Sequence, residues 1–130
     1  MVNKKYGHEW IELAVKHLST AQVLFDANHY TDIIGIELQQ SIERYLKALL
    51  AYHSFKIPRT HDLVEIYKSL YNVLQLDEDH LEILDIATTY FTDTRYPGNK
   101  YFHPDREEIK RVLSFVRELD RIVSDIIINN

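Results

Sequence analysis

The residues best suited to chemistry lie in the longest irregular stretch of the sequence, residues 92–103. Arginine presents a planar fork to phosphate, aromatic rings stack on bases, and histidine transfers protons near neutral pH. The stretch holds all of these side chains: Arg95, Tyr96, Lys100, Tyr101, Phe102 and His103. It therefore suits a phosphate, nucleotide or RNA ligand. The structural alternative, common for aromatic residues, is that they pin the loop to the protein while Arg95 is a counter-ion for the preceding acidic helix.

Local charge changes sign at this stretch. The formal net charge of the chain is −5, which argues against broad electrostatic capture of nucleic acid. Residues 77–93 contain six acidic residues and neither lysine nor arginine, whereas residues 94–111 contain five basic and three acidic residues. A local basic site is therefore compatible with an acidic protein.

Other catalytic patterns are missing from the sequence. No two of the seven histidines are three or four residues apart, so a helical two-histidine metal face is absent. There is no cysteine and no glycine-rich phosphate loop. Asp77 and Asp79 superficially resemble a metal-binding carboxylate pair, but acids at a helix N-terminus explain them better. We expect no metal and no cofactor. His17 is predicted to be a hydrogen-bonded core histidine, and His61 to pair locally with Glu65.

These residues must be positioned by a central helix predicted from Thr31 to His53, with Thr31 or Asp32 as its N-cap. An apolar arc of roughly 200° covers one side, so the helix should touch neighbours on several sides and contribute to a subunit interface. The arc comprises Ile34, Leu38, Ile42, Tyr45, Leu46, Leu49 and Leu50. The opposite sector is polar and contains Glu37, Gln40, Glu43, Arg44 and Lys47. Glu43 and Lys47 have the favourable order for an ion pair on an exposed face.

Four further helices follow from apolar periodicity. We predict one from about His8 to Ala27 that ends at Asn28, and a short one capped by Thr60. A fourth opens at residues 77–79, and the last begins at Pro104. The chain is thus predicted to be all-α, a single domain over residues 1–130, and an up-and-down four-helix bundle with an additional short helix. No signal peptide and no apolar run of about 20 residues is found, so a cytoplasmic location is expected.

Three segments resemble HEPN (higher eukaryotes and prokaryotes nucleotide-binding) domains. The sequence Gln-Ser-Ile-Glu-Arg-Tyr-Leu-Lys-Ala-Leu-Leu at 40–50 is similar to the central-helix motif of that family. Thr-His-Asp-Leu at 60–63 resembles the element that follows it, and Arg-Tyr-Pro at 95–97 the element after the fourth helix. The resemblance covers nearly the whole chain. It implies a homodimeric helical bundle, of a kind often paired with a separate minimal nucleotidyltransferase in a toxin–antitoxin-like system.

The resemblance also implies roles for individual residues. Some family members are ribonucleases that use an arginine, four to six residues, and then a histidine; Arg95 and His103 are the candidates, but seven residues separate them. We therefore expect a nucleotide- or RNA-associated protein. Arg95 and Tyr96, together with Lys47, would face the phosphate. Gln40, Glu43 and Lys47 match the polar positions of the family's central helix and would hold that helix and the nearby loop in place. The alternatives are a metal-independent endoribonuclease that uses His103 or Arg95, and a dimeric interaction module without a ligand.

Overall fold

The computed structural model describes residues 2–92 and 103–129. All regular structure in this part of the chain is helical, which confirms the predicted all-α fold. Four long helices and one short helix follow one another: α1 (Lys4–Asp26), α2 (Thr31–Tyr52), α3 (Leu63–Lys68), α4 (Glu78–Thr92) and α5 (Arg106–Ile128).

Contacts between the long helices show the up-and-down arrangement. Between α1 and α2, the backbone N–H of Asn3 donates to the carbonyl of Tyr52, and the Ser41 hydroxyl donates to the carbonyl of Ala14. Residue numbers rise on one helix as they fall on the other, so the two are antiparallel. Between α4 and α5, His80 lies against Glu118 and Tyr90 against Glu108, which makes this pair antiparallel as well.

The centre of the core is α2. All seven residues of its predicted apolar arc have no exposed surface, so the expected contacts on several sides are confirmed. The same observation removes an argument for dimerisation, because helices of one chain already cover the arc. Homodimerisation therefore stays a prediction that needs another surface.

The first helix differs from its prediction at the N-terminal end. It begins at Lys4 because the Asn3 side chain caps it, accepting a hydrogen bond from the backbone N–H of Tyr6. Ile11 of this helix is buried, whereas Leu13 is 42% exposed. The predicted stop is confirmed, since Asn28 adopts a left-handed φ of 56°.

Two predicted helix N-caps are wrong, because other residues occupy the cap positions. The N-cap of α2 is Tyr30, without a side-chain hydrogen bond, so neither Thr31 nor Asp32 serves. Asp62, rather than Thr60, caps α3 by accepting from the N–H groups of Val64 and Glu65.

The last two helices have aspartates at their starts. Asp105 accepts from the N–H of Glu108, so α5 starts at Arg106 and the predicted start at Pro104 is corrected, because the proline precedes the cap. The capping interpretation of Asp77 is confirmed, because its carboxylate accepts from the N–H of His80 at the start of α4.

A close approach between α2 and α4 fixes their separation. Tyr90 is fully buried, and its hydroxyl donates to Glu108 at 2.6 Å. Its ring lies against Gly35, where an added Cβ would be 2.9 Å from the ring carbon Cγ. Only a residue without a Cβ allows this contact without a shift of helix or ring.

Gly35→Ala should therefore destabilise the protein. In a helix interior this change ordinarily stabilises by about 0.5–1 kcal/mol, but overpacking against a fixed ring costs typically about 1–3 kcal/mol. We expect a net loss of roughly 1–2 kcal/mol in the free energy of unfolding, measured by denaturant titration. The cost should shrink in a Tyr90→Leu background. An equal cost in both backgrounds would show that the ring is not the cause.

Candidate functional site

A buried carboxylate gathers polar side chains from the central helix and from the connection that follows it. Glu43, on α2, is only 3% exposed. Its Oε2 accepts from the Lys47 ammonium at 2.8 Å, and its Oε1 accepts from Nδ1 of His61 at 2.9 Å and from the amide of Gln39 at 3.0 Å. Glu43 therefore has three donors, and we refer to these four residues as the Glu43 cluster.

These donors decide the charge state of the carboxylate. Burial opposes ionisation of Glu43, but the hydrogen bonds from Lys47, His61 and Gln39 outweigh it and hold the pKa below its ordinary value of 4.5. Glu43 is thus a charged group inside the protein at neutral pH. Buried charges of this kind persist where pairing and hydrogen bonds are good.

The polar chain continues along α2. The side-chain amide N–H of Gln40 donates to the side-chain oxygen of Gln39 at 2.6 Å. The side-chain oxygen of Gln40 accepts from the Arg44 guanidinium at 2.6 Å. Residues three and four apart lie on one side of a helix, so these positions form a continuous row. The row ends at Lys47, whose ammonium lies 5.8 Å from the centre of the Trp10 ring of α1.

His61 connects this row to the rest of the bundle. Its ring stacks on Phe91, near the end of α4, with 4.1 Å between ring centres. The predicted pairing of His61 with Glu65 is wrong: His61 contacts Glu43, and Glu65 pairs with Lys68 at 3.1 Å. Because the cap Asp62 comes after His61, the histidine lies outside the helix and helical spacing does not apply to it.

The structure brings together some of the predicted site residues. Gln40, Glu43 and Lys47 lie in one network, as expected for residues that hold the central helix and a loop in place. The predicted Glu43–Lys47 pair is present but not on an exposed face, since the Lys47 side chain is 15% exposed. Arg95 and Tyr96 lie outside the described residues. His103 is exposed and immediately precedes Pro104.

Two members of the cluster were missed by sequence reasoning. Gln39 lies at the border of the polar and apolar sectors of α2, where periodicity does not predict burial. His61 is 18 residues from Glu43, a separation for which no local spacing rule exists. The sequence feature that could have pointed to His61 is its position in residues 60–63, the second of the segments that resemble the HEPN family.

His17 makes a similar but separate contact. Its Nδ1 lies 2.9 Å from Glu37 Oε1, so the predicted hydrogen bond is confirmed. The ring is 28% exposed, however, and is not a core residue.

An apolar groove, which we call the Trp10 groove, adjoins the Glu43 cluster at Trp10. It has a volume of about 650 Å³ and lies between α1 and the end of α2. Its aromatic and aliphatic lining includes Tyr6, Trp10, Leu13, Phe55 and Ile57. Tyr6, Leu13 and Phe55 are each more than 40% exposed. A contiguous apolar surface of this kind is typical of an interaction site.

Within residues 2–92 and 103–129, no three His, Asp or Glu side chains are grouped to hold a metal ion. No helix in the same part of the chain is long and apolar enough to cross a membrane.

The helical bundle with a polar row on its central helix places the protein in the all-α class. Comparison with known proteins identifies its family. The HEPN domain model matches residues 8–126, so the chain belongs to the HEPN family. Two similar crystal structures are TT1696 from Thermus thermophilus and ST0689, an archaeal HEPN homologue.

TT1696 is 22% identical with a TM-score of 0.77, over 92% of this chain and 96% of that one. ST0689 is 19% identical with a TM-score of 0.73, over 95% of this chain and 98% of that one. At these identities the likeness concerns the fold alone. No curated protein matches the sequence.

The lowered pKa of Glu43 predicts a pH dependence of stability. Because the folded pKa lies below 4.5, Glu43 contributes its full stability above that pH and loses it as pH falls through the folded pKa. Glu43→Gln should cost about 2 kcal/mol in the free energy of unfolding at neutral pH. The difference between wild type and variant should shrink below pH 4.5, as measured by urea titration across pH.

Glu65→Gln is the matched control, because Glu65 also forms a lysine ion pair but is 55% exposed. It should leave stability unchanged within error at every pH. A Glu43→Gln variant as stable as wild type at neutral pH would contradict the charged, buried state of Glu43.

Proposed function

We propose that this HEPN protein is a nucleotide- or RNA-associated partner of a separate minimal nucleotidyltransferase, in a toxin–antitoxin-like pair. Its phosphate site would lie at the Glu43 cluster and include Arg95, Tyr96 and Lys47. The observation that carries the proposal is the position of Lys47, which joins the buried Glu43 carboxylate to the rim of the Trp10 groove.

Local charge supports a phosphate ligand. Lys47 and the imidazole of His61 both contact the buried Glu43 carboxylate, whereas Arg44, the second cation of the polar row, donates to Gln40. Between residues 39 and 47 the row has two cations and one carboxylate, in a protein whose formal net charge is −5. Fixed positive groups held by their own hydrogen bonds lose little freedom when an anion binds, which favours affinity.

The acidic helix α4 also bears on Arg95. The structural alternative was that Arg95 offsets these acids. Arg111 on α5 already does so, with contacts of 2.9 Å to Asp79 and 3.0 Å to Glu82. An arginine at position 95 is thus less needed as a counter-ion, which favours its use on a ligand.

Ribonuclease activity has less support. The interval of seven residues between Arg95 and His103 departs from the four to six of the resembling ribonucleases. We therefore expect binding without cleavage. Cleavage of a short RNA that is lost in His103→Ala, while binding persists, would establish the endoribonuclease alternative instead.

The Trp10 groove is a suitable surface for the partner chain, because it combines aromatic anchors with exposed apolar residues. Phe55→Ser should reduce co-purification of the proposed nucleotidyltransferase partner. Tyr71→Ser is the matched control, since Tyr71 is 51% exposed but does not line the groove. Undiminished co-purification of the Phe55 variant would exclude the groove as the partner site.

We expect a symmetric homodimer, in line with the commonest form of oligomer. Sedimentation at micromolar concentration should give twice the chain mass for wild type and for Phe55→Ser. A folded wild-type monomer would contradict the dimer. If wild type is a dimer and Phe55→Ser is a monomer, the groove is the surface of self-association. The alternative function, a dimeric interaction module without a ligand, would then describe the protein better.

Arg95→Ala should weaken binding of ATP, GTP or a short RNA without unfolding the bundle. A charge-assisted contact between arginine and phosphate is worth about 1.5–3 kcal/mol, so affinity should fall by roughly one to two factors of ten. Arg117→Ala is the control, because Arg117 lies on α5 and donates to Gln22. Calorimetry measures the affinity of wild type, Arg95→Ala and Arg117→Ala for each of these ligands. Equal affinities of wild type and Arg95→Ala would exclude Arg95 from the site.

A further inference from the structure

One ring nitrogen of His61 is engaged inside the protein and the other is open. Nδ1 lies 2.9 Å from the buried carboxylate of Glu43, and one ring face stacks on Phe91. The side chain is nevertheless 53% exposed. Nε2 has no hydrogen-bond partner among the residues that the structure describes. The ring is thus fixed in orientation with one nitrogen available to a ligand.

The contact with Glu43 also determines what the open nitrogen can do. Because the carboxylate only accepts, Nδ1 must carry a proton, so Nε2 is an acceptor in neutral imidazole and a donor in imidazolium. An anion at Nε2 favours the donor form. The imidazolium would then bridge the buried carboxylate on one side and the anion on the other, and both contacts would be charge-assisted.

We propose that His61 binds a phosphate oxygen of the ligand through Nε2, while Nδ1 remains on Glu43. The assignment rests on the proposed phosphate-binding function and adds a contact that the sequence pattern did not indicate. The surrounding groups favour an anion. Lys47 lies on the other oxygen of the same carboxylate, Phe91 contributes an uncharged face, and the charge of Glu43 is already shared by three donors. Asp62, next in sequence, is engaged in capping α3.

The test compares wild type with His61→Gln and His80→Gln. Glutamine at 61 keeps a donor for Glu43 but removes the outward nitrogen. His80 is a matched control because both of its ring nitrogens face carboxylates, Asp77 at 3.4 Å and Glu118 at 3.6 Å. Two probes distinguish the source of the phosphate: ATP, and a short single-stranded RNA whose diester groups do not titrate near neutrality. Trp10, the single tryptophan, reports binding by its fluorescence.

His61→Gln should bind one or both probes roughly tenfold more weakly than wild type, whereas His80→Gln should match wild type. Wild-type affinity for RNA should also rise between about pH 8 and about pH 6, because binding takes up a proton, and this rise should vanish in His61→Gln. If wild type binds and His61→Gln binds equally well at both pH values, the His61 assignment is wrong and the phosphate site stands. If wild type binds neither probe, both proposals fail.

A measurement without a variant covers the case in which His61→Gln does not fold. In ¹⁵N spectra of the wild-type imidazoles, adding RNA or ATP should shift Nε2 of His61 towards its protonated position and leave Nδ1 protonated. Binding that leaves both nitrogens unmoved would overturn the assignment.

Discussion

The arrangement of this HEPN protein depends on one buried negative charge. Moving a carboxylate out of water costs several kcal/mol, and only good hydrogen bonds offset that cost. Glu43 receives them from Lys47, one turn further along α2, from its neighbour Gln39, and from His61 in the connection to α3. Any movement of the connection that broke the His61 contact would leave the buried charge less well compensated. The carboxylate thus ties a segment that precedes α3 to the central helix.

This constraint explains how a helix deep in the core can also serve a site. The apolar arc of α2 is buried against the other helices, which fixes the helix along its length. Its polar row is thereby held beside the Trp10 ring of α1, which Lys47 approaches, and beside His61, which stacks on the Phe91 ring of α4. A rigid element positions ligand-binding groups more precisely than a loop does. Under the proposed function, Arg95 and Tyr96 would add to a site whose framework is set by α2.

Apolar periodicity predicted the fold well, because burial of one helix side leaves a regular trace in the sequence. The arc of α2 was found in this way, and all seven of its residues are buried. Caps were predicted less well: Thr60 and Asp62 are both good capping residues, and only the backbone path selects Asp62. The polar network around Glu43 was predicted in part. Glu43, Lys47 and Gln40 share a helix, so spacing joined them, whereas His61 joins them through a tertiary contact that no spacing rule describes. The exposed face assumed for Glu43 was wrong because Gln39 and His61 cover it.

The most direct test of this account is the pKa of Glu43 itself, followed through its side-chain carboxyl ¹³C resonance across a pH titration of the folded protein. An ionised carboxylate held by three donors predicts a midpoint below the ordinary value of 4.5. The midpoint should rise when His61→Gln or Lys47→Met removes or weakens a donor. A wild-type midpoint above 4.5, with the fold intact, would show that burial prevails over the hydrogen bonds, and it would contradict a charged Glu43 as the centre of the site.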